Sequence, residues 1–248
     1  FLSYEKKGAQ NGDWLRNPDA ELLRRLIAAS NGLVKLVSVA PELPGAIDFI
    51  ESVGEEVTVS LAHTTADYDT AMKAFRAGAR QVTHLFNAMP PFSHRAPGVV
   101  GAALDTPGCM VELICDGVHI HPSVVRAVFR MFGAERVILI SDSMRAAGMP
   151  DGQYTLGGQD VTVRGRHATL ADGTLAGSVT DLMGCLQTAV SMGIPLAAAV
   201  RAAAVNPARA IGAYSRVGSL ESGKLANLAI LNGDYSLRTV IFRGEVVA

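Results

Sequence analysis

Between Val34 and Met144, short apolar runs alternate with helical patterns. The runs are VKLVSVAPE, VTVSLAHT, QVTHLFNA, MVELICDGVHI and VILISDSM, and each is β-branched or apolar and ends in polar residues. Between the second and third, Ala71, Met72, Phe75 and Ala79 fall on one helical face, with Thr65 or Asp67 to cap the start and Gly78 near the end. The segment PSVVRAVFRMFGAERV repeats this before the last run, with Pro122 in the first turn and Gly133 as the stop. Strands joined by single helices imply a parallel sheet. The pattern therefore predicts either a doubly wound sheet or part of a (β/α)8 barrel.

The ends of the runs favour the barrel. No run is followed by the glycine fingerprint of a nucleotide-binding doubly wound sheet. Instead Glu42, His63, His84, His119 and Asp142 stand at the C-terminal ends of successive runs, the face on which a barrel assembles chemistry. The expected fold class is α/β, a partial TIM barrel with about five βα units.

From Gly152 to Thr174 the chain is glycine-rich and alternates apolar with polar, which predicts one or two hairpins. Two small-residue-rich helical patterns follow, SVTDLMGCLQTAVSMG and PLAAAVRAAAVNPARAIG. From Val217 to Val247 alternation with turn glycines returns and predicts a few strands of a second β-structure. The expected division is a barrel over residues 1–213 and the C-terminal part of a small β-sandwich domain over 214–248.

Charge narrows the partners. With 22 Lys+Arg against 23 Asp+Glu, one Trp and five Tyr, the chain lacks the basic patch and stacking surface of a nucleic-acid binder. No run approaches the roughly eighteen apolar residues of a membrane span, and the opening FLSYEKKGAQNGDW does not read as a signal peptide. Cys109, Cys115 and Cys185 are widely spaced with no CxxC, so a reducing cytoplasm is the default setting. The chain opens on two apolar residues without an initiator Met, which suggests a start within a longer protein.

His63 and His84 end adjacent runs, one strand–helix–strand step apart, so their imidazoles should lie side by side on one face. Two neutral imidazoles there suit Zn²⁺ or a similar ion; each could equally bond a loop carbonyl. Asp142, ending the last run, could act as a general base that returns its proton to a leaving group, or could be an ordinary loop or N-cap aspartate. His119 could polarise a substrate carbonyl, whereas His121 and His167 read as structural. Arg95 is the only full-time cation of the loop NAMPPFSHR, and with the Asn87 amide it could recognise a phosphate or carboxylate, although loop arginines are usually just solvated.

Together SLAHTTADYDTAMKAFRAGARQVTHLFNAMPPFSHRAPGVVGAAL, LICDGVHIHP, LISDSMRAAGMPDGQYTLGG and LAGS resemble the N-acetylglucosamine-6-phosphate deacetylases of the amidohydrolase superfamily. The tail GSLESGKLANLAIL is similar to that superfamily's return to its small β-domain. The resemblance runs over essentially the whole chain. It implies hydrolysis of the acetamide of N-acetylglucosamine 6-phosphate, the galactosamine epimer being the alternative, with one or two divalent ions, Zn or Fe, per full-length subunit of a cytoplasmic homodimer.

Residue by residue, His63 and His84 match two metal-ligating histidines, and Asp142 matches the aspartate that activates the attacking water and protonates the departing amine. His119 matches a substrate-contacting histidine, with Asp116, Gly117 and Val118 lining the same strand end. Asn87, Ala88 and Arg95 match phosphate-side contacts, that arginine being able to reach a neighbouring subunit in the family. Leu175, Ala176 and Gly177 match a loop that closes on the substrate, and Ala9 and Gln10 are further substrate-binding candidates.

Two departures accompany the resemblance. The family's third protein ligand, a glutamate in an H-x-E-G-P motif, would precede Phe1, so the chain is expected to be a fragment that alone binds metal poorly or not at all. Some members also carry a phosphate-binding histidine where Gln10 stands. A dihydroorotase-like amidase is less well matched, since the only H-x-H is His119–His121. From a different class, the fragment could be a non-catalytic association module.

Overall fold

A computed structural model describes residues 1–247; Ala248, the last position of the expected β-domain, lies outside them. The first helix, α1 (Ala20–Ala29), is capped by the Asp19 side chain. Five strands follow: β1 (Leu36–Val39), β2 (Thr58–Leu61), β3 (Gln81–Val82), β4 (Met110–Ile114) and β5 (Val137–Ile140). They are joined by α2 (Ala46–Val53), α3 (Tyr68–Arg76), α4 (Gly98–Asp105) and α5 (Pro122–Phe132). Every pairing is parallel, and the order β1-β2-β3-β4-β5 never reverses. A doubly wound sheet reverses its order at a switch point; this one advances as a barrel does.

The two faces of the sheet differ because side chains alternate along a strand. Val39, Val59, Leu61, Val82, Val111, Leu113, Val137 and Leu139 pack with the helices in the main core. On the other face Thr83 Oγ1 lies 2.7 Å from Ser60 Oγ and 3.4 Å from Ser38 Oγ, and Gln81 Nε2 donates to Glu112 at 2.5 Å. Burial pushes the Glu112 carboxyl up to about 7. The middle of this inward face is therefore polar, with Leu36, Ile138 and Ile140 flanking it.

The predicted helix signals hold. Asp67, not Thr65, caps α3 through a 2.8 Å bond from Thr70 N–H. Gly133 ends α5, while His121 caps its start with Pro122 in the first turn. The third run is shorter than its pattern suggests. Only Gln81 and Val82 are strand, because His84, Phe86 and Ala88 all take positive φ and turn the backbone away from the ladder.

After β5 comes a three-stranded antiparallel sheet of β6 (Gly152–Leu156), β7 (Gln159–Arg164) and β8 (His167–Thr169). It has its own small core of Val161, Val163 and Ala168 with Ala9, Met144, Ala146 and Ala176. Next, α6 (Leu182–Ser191) leads to α7 (Leu196–Val200), a π-helical stretch (Arg201–Val205) and α8 (Asn206–Ala210). The π stretch winds the chain through Pro207, whose ring would clash with the i−4 carbonyl of a regular helix. Buried Asn206 donates to Ala134 O at 2.7 Å and Val137 O at 2.6 Å, tying this helix to the start of β5. The tail forms β9 (Leu228–Leu231), β10 (Leu237–Phe242) and β11 (Glu245–Val246), an antiparallel sheet. Among the described residues no helix is long and apolar enough to cross a membrane.

Candidate active site

A cavity of about 480 Å³ opens where the strands end, between the parallel sheet and the β6–β8 sheet. His63, His84, His119 and Asp142 all line it. Three of them, His63 (φ 45°), His84 (φ 31°) and Asp142 (φ 50°), are in the left-handed region. Non-glycine residues adopt it at a cost, and such strain collects where a side chain must be aimed. Here it turns the chain inward just beyond β2, β3 and β5. Gly8 (φ 56°) turns the chain against the His63 imidazole.

The two imidazoles meet edge to face with Nε2 atoms 3.0 Å apart. His63 Nδ1 is 2.8 Å from Lys6 O, so that nitrogen carries the proton and Nε2 presents a lone pair. His84 Nδ1 is buried without a hydrogen-bond partner. Whichever nitrogen of neutral His84 is protonated, one polar atom is left unmatched or two lone pairs face each other, which is costly in a buried site. A shared cation removes the conflict. Nitrogen ligands about 2.0–2.1 Å from one ion, at octahedral to tetrahedral angles, stand roughly 2.9–3.4 Å apart, and the observed separation falls within that range. Burial, with the neighbouring His84, lowers the pKa of His63, and burial lowers that of His84, so both are neutral at pH 7 as ligation requires. Among the described residues no group of three or more His, Cys, Asp or Glu side chains is arranged to hold a metal, so the fit rests on this pair.

A brace sets the spacing of the histidine turns. Thr64 N–H donates to Ala88 O at 3.0 Å, bridging the turn after His63 and the turn after His84. Glu42 anchors that bridge, accepting from Thr65 N–H at 2.6 Å, Thr65 Oγ1 at 3.0 Å and Thr64 Oγ1. Glu42, for all its strand-end position, does not line the cavity.

His119 is oriented by its own turn. Buried Asp116 accepts from His119 Nδ1 at 2.7 Å and from the backbone N–H of Val118 and His119 at 2.9 Å each. Burial opposes ionisation of Asp116, but these bonds outweigh it and bring the carboxyl down to about 2. With Nδ1 engaged, Nε2 is the ring nitrogen left for a ligand. Gly117 (φ 79°) allows the turn, and Arg166 from the β7–β8 turn bonds Asp116 O across it.

The remaining sequence candidates separate. Gln10, Asn87, Ala88, Leu175 and Gly177 line the cavity. Asn87 Nδ2 is engaged by His84 O and Leu85 O at 3.2 and 3.3 Å, so much of its donor capacity shapes its own loop. Ala9 also lines the cavity while packing into the small core; Ala176 sits in that core behind the wall, and Asp116, Gly117 and Val118 stand behind His119. Arg95 is elsewhere, exposed on a groove with Asp67, Asp69 and Asp105. Lining residues that the sequence did not single out include Lys6, Ser143, Met144 and Leu156. Only Lys6, in the KKG run, carried a signal.

Residues 17–247 match the sequence profile of the Amidohydrolase family. The chain belongs to this family. It is 41% identical over 248 residues to N-acetylglucosamine-6-phosphate deacetylase of Bacillus subtilis (strain 168), covering 99% of this chain and 63% of that protein. It is 35% identical over 250 residues to N-acetylgalactosamine-6-phosphate deacetylase of Escherichia coli O157:H7, covering 100% of this chain and 66% of the relative. A mutant N-acetyl-D-glucosamine-6-phosphate deacetylase from Mycobacterium smegmatis, solved in complex with N-acetyl-D-glucosamine-6-phosphate, superposes with a TM-score of 0.94 at 38% identity, covering 99% of this chain and 66% of that one. The amidohydrolase chain thus spans just under two thirds of the length of these relatives. The family generally uses a divalent metal, which agrees with the convergent imidazoles.

Proposed function

We propose that this amidohydrolase chain forms the metal- and substrate-binding part of an N-acetylglucosamine-6-phosphate deacetylase, which hydrolyses the acetamide to acetate and glucosamine 6-phosphate. The observation that carries the reading is the convergence of His63, His84, His119 and Asp142 on one cavity. In it, His63 and His84 hold a divalent ion, zinc or iron by donor type. When bound, that ion supplies Lewis-acid polarisation of the amide carbonyl and lowers the pKa of water. Asp142 takes the proton of the attacking water and delivers it to the departing amine. His119, fixed by Asp116, orients the acetamide through Nε2. Gln10, Asn87 and Ala88 bound the space for the sugar phosphate, with Leu175 and Gly177 opposite.

The reading assigns residues 1–213 to the hydrolase barrel and 214–248 to part of a small β-domain. Because Arg95 stands outside its own chain's cavity, its phosphate role belongs to a neighbouring copy in a homodimer. The three buried free thiols support a reducing, cytoplasmic setting. The galactosamine epimer remains the second substrate, favoured by the 35% identity to the Escherichia coli relative.

The test is acetate release by the full-length protein from both N-acetylamino-sugar 6-phosphates. Asp142→Asn should lower kcat by about 10³-fold and leave metal content unchanged. Wild-type turnover retained by that variant would remove Asp142 from proton transfer, and no release from either sugar phosphate would sink the deacetylase reading.

A further inference from the structure

Asp142 lies beyond the last ladder pair of β5, Ile114↔Ile140, on the outermost strand of the sheet. Its left-handed backbone is not held by a neighbouring barrel strand among the described residues. It is held by Ser178, distant in sequence and only 1% exposed. Ser178 N–H donates to Asp142 O at 2.8 Å, and Met144 N–H donates to Ser178 O at 2.9 Å, which closes a parallel bridge between Ser143 and Ser178. Ser178 Oγ donates to Ser141 O. The preceding Gly177 (φ 71°) passes so close that a Cβ there would stand 2.8 Å from Asp142 O. Ser178 does not line the cavity. Its backbone and hydroxyl bonds instead go to Ser141, Asp142 and Met144, on either side of and at Asp142 itself.

We propose that Ser178 is a positioning residue for Asp142, locking the Ser141–Asp142 peptide so that the carboxylate stays aimed at the reacting atoms. The proposal rests on the proton-transfer role given to Asp142 above. A buried hydroxyl is tolerated only when its hydrogen bond is made. Without that bond the Ser141 carbonyl loses its Ser178 partner, and the Ser141–Asp142 peptide is held only by the backbone bonds that follow it. A displacement of about 1 Å at a reacting group can cost about 10²-fold in rate.

The experiment compares wild type, Ser178→Ala, Ser178→Cys, Asp142→Asn and the Asp142→Asn/Ser178→Ala double variant, all full length, by acetate release and metal content. Ser178→Ala should lower kcat by roughly 10- to 100-fold with KM within about twofold and metal content unchanged. Ser178→Cys fills the same space with a weak S–H donor and should fall between. In the Asp142→Asn background Ser178→Ala should cost nothing further, since the group it positions is already disabled. Wild-type kcat in both Ser178 variants, or an undiminished loss in the Asp142→Asn background, overturns the positioning role while leaving the deacetylase reading standing. A wild type that releases no acetate overturns both. If Ser178→Ala does not fold, Ser178→Cys decides: kcat at the wild-type value refutes the role, and a fall confined to kcat supports it.

Discussion

The two sides of the cavity are built differently. His63 and His84 end β2 and β3, interior strands paired on both sides, whose outer face lies in the main core with Val59, Leu61 and Val82. Asp142 follows the edge strand β5, and the residues around it are held by Ser178 and by the small core of Val161, Val163, Ala168 and Ala176. The side proposed to bind the metal is thus built by local βα units. The side proposed for proton transfer is held by a contact with Ser178, which the chain reaches only beyond the β6–β8 sheet.

Matched core truncations test this division with the largest expected effect. Leu61 is fully buried, so Leu61→Ala should cost about 3 kcal/mol and, two residues from His63, should weaken metal retention. Val163→Ala in the small core should cost about 2 kcal/mol, leave metal content intact and lower turnover. Denaturant unfolding with metal analysis reads both. If Val163→Ala released metal as readily as Leu61→Ala, the two sides would be one unit.

His119 belongs to the first side, and its partner Asp116 is linked to the second through Arg166 of the β7–β8 turn, which bonds Asp116 O. Its orientation should nonetheless be set locally, by Asp116. The Asp116 carboxyl lies at about 2 in the folded chain against an ordinary 3.8. A folded value below the unfolded one stabilises above the unfolded pKa, and the stabilisation is lost as pH falls through the folded value. Wild type should therefore exceed Asp116→Asn by about 2 kcal/mol at pH 7. The gap should narrow below about pH 4 and nearly close by pH 2. Unfolding curves across that range check the sign, and a gap independent of pH would assign the effect to packing.

The same division governs what could be read from the sequence. The βα period located all five parallel strands, and the strand-end rule placed His63, His84, His119 and Asp142 on one face, because a local register of one strand–helix–strand step determines both. The early end of β3 was not legible, since the positive φ of His84, Phe86 and Ala88 answers to the site and not to propensity. Nor was Ser178, whose importance exists only once the chain from Asp142 through the β6–β8 sheet returns to the same strand end. Glu42 shows the opposite error: its position reads as chemistry, yet its carboxylate is wholly engaged by Thr64 and Thr65.

Glu42 also yields the smallest predicted effect and the sharpest test of preformation. If β2 and β3 alone set the spacing of the imidazoles, loosening the turns beyond them should change little. If the Thr64–Ala88 bridge matters, its anchor matters too. Glu42→Gln keeps an oxygen for Thr65 but turns an amide N–H₂ toward the Thr64 hydroxyl, which is fully buried and already accepts from Ala66 N–H at 2.8 Å. That hydroxyl loses its acceptor. The expected cost is about 1 kcal/mol of stability. The accompanying fall in metal affinity should be several-fold, against the roughly 10- to 100-fold typical when a group bonded directly to a ligating ring is removed. Competition with a chromophoric chelator measures it. An unchanged affinity, with the stability loss present, would show that the sheet alone holds the two nitrogens together and that the brace serves only the turn.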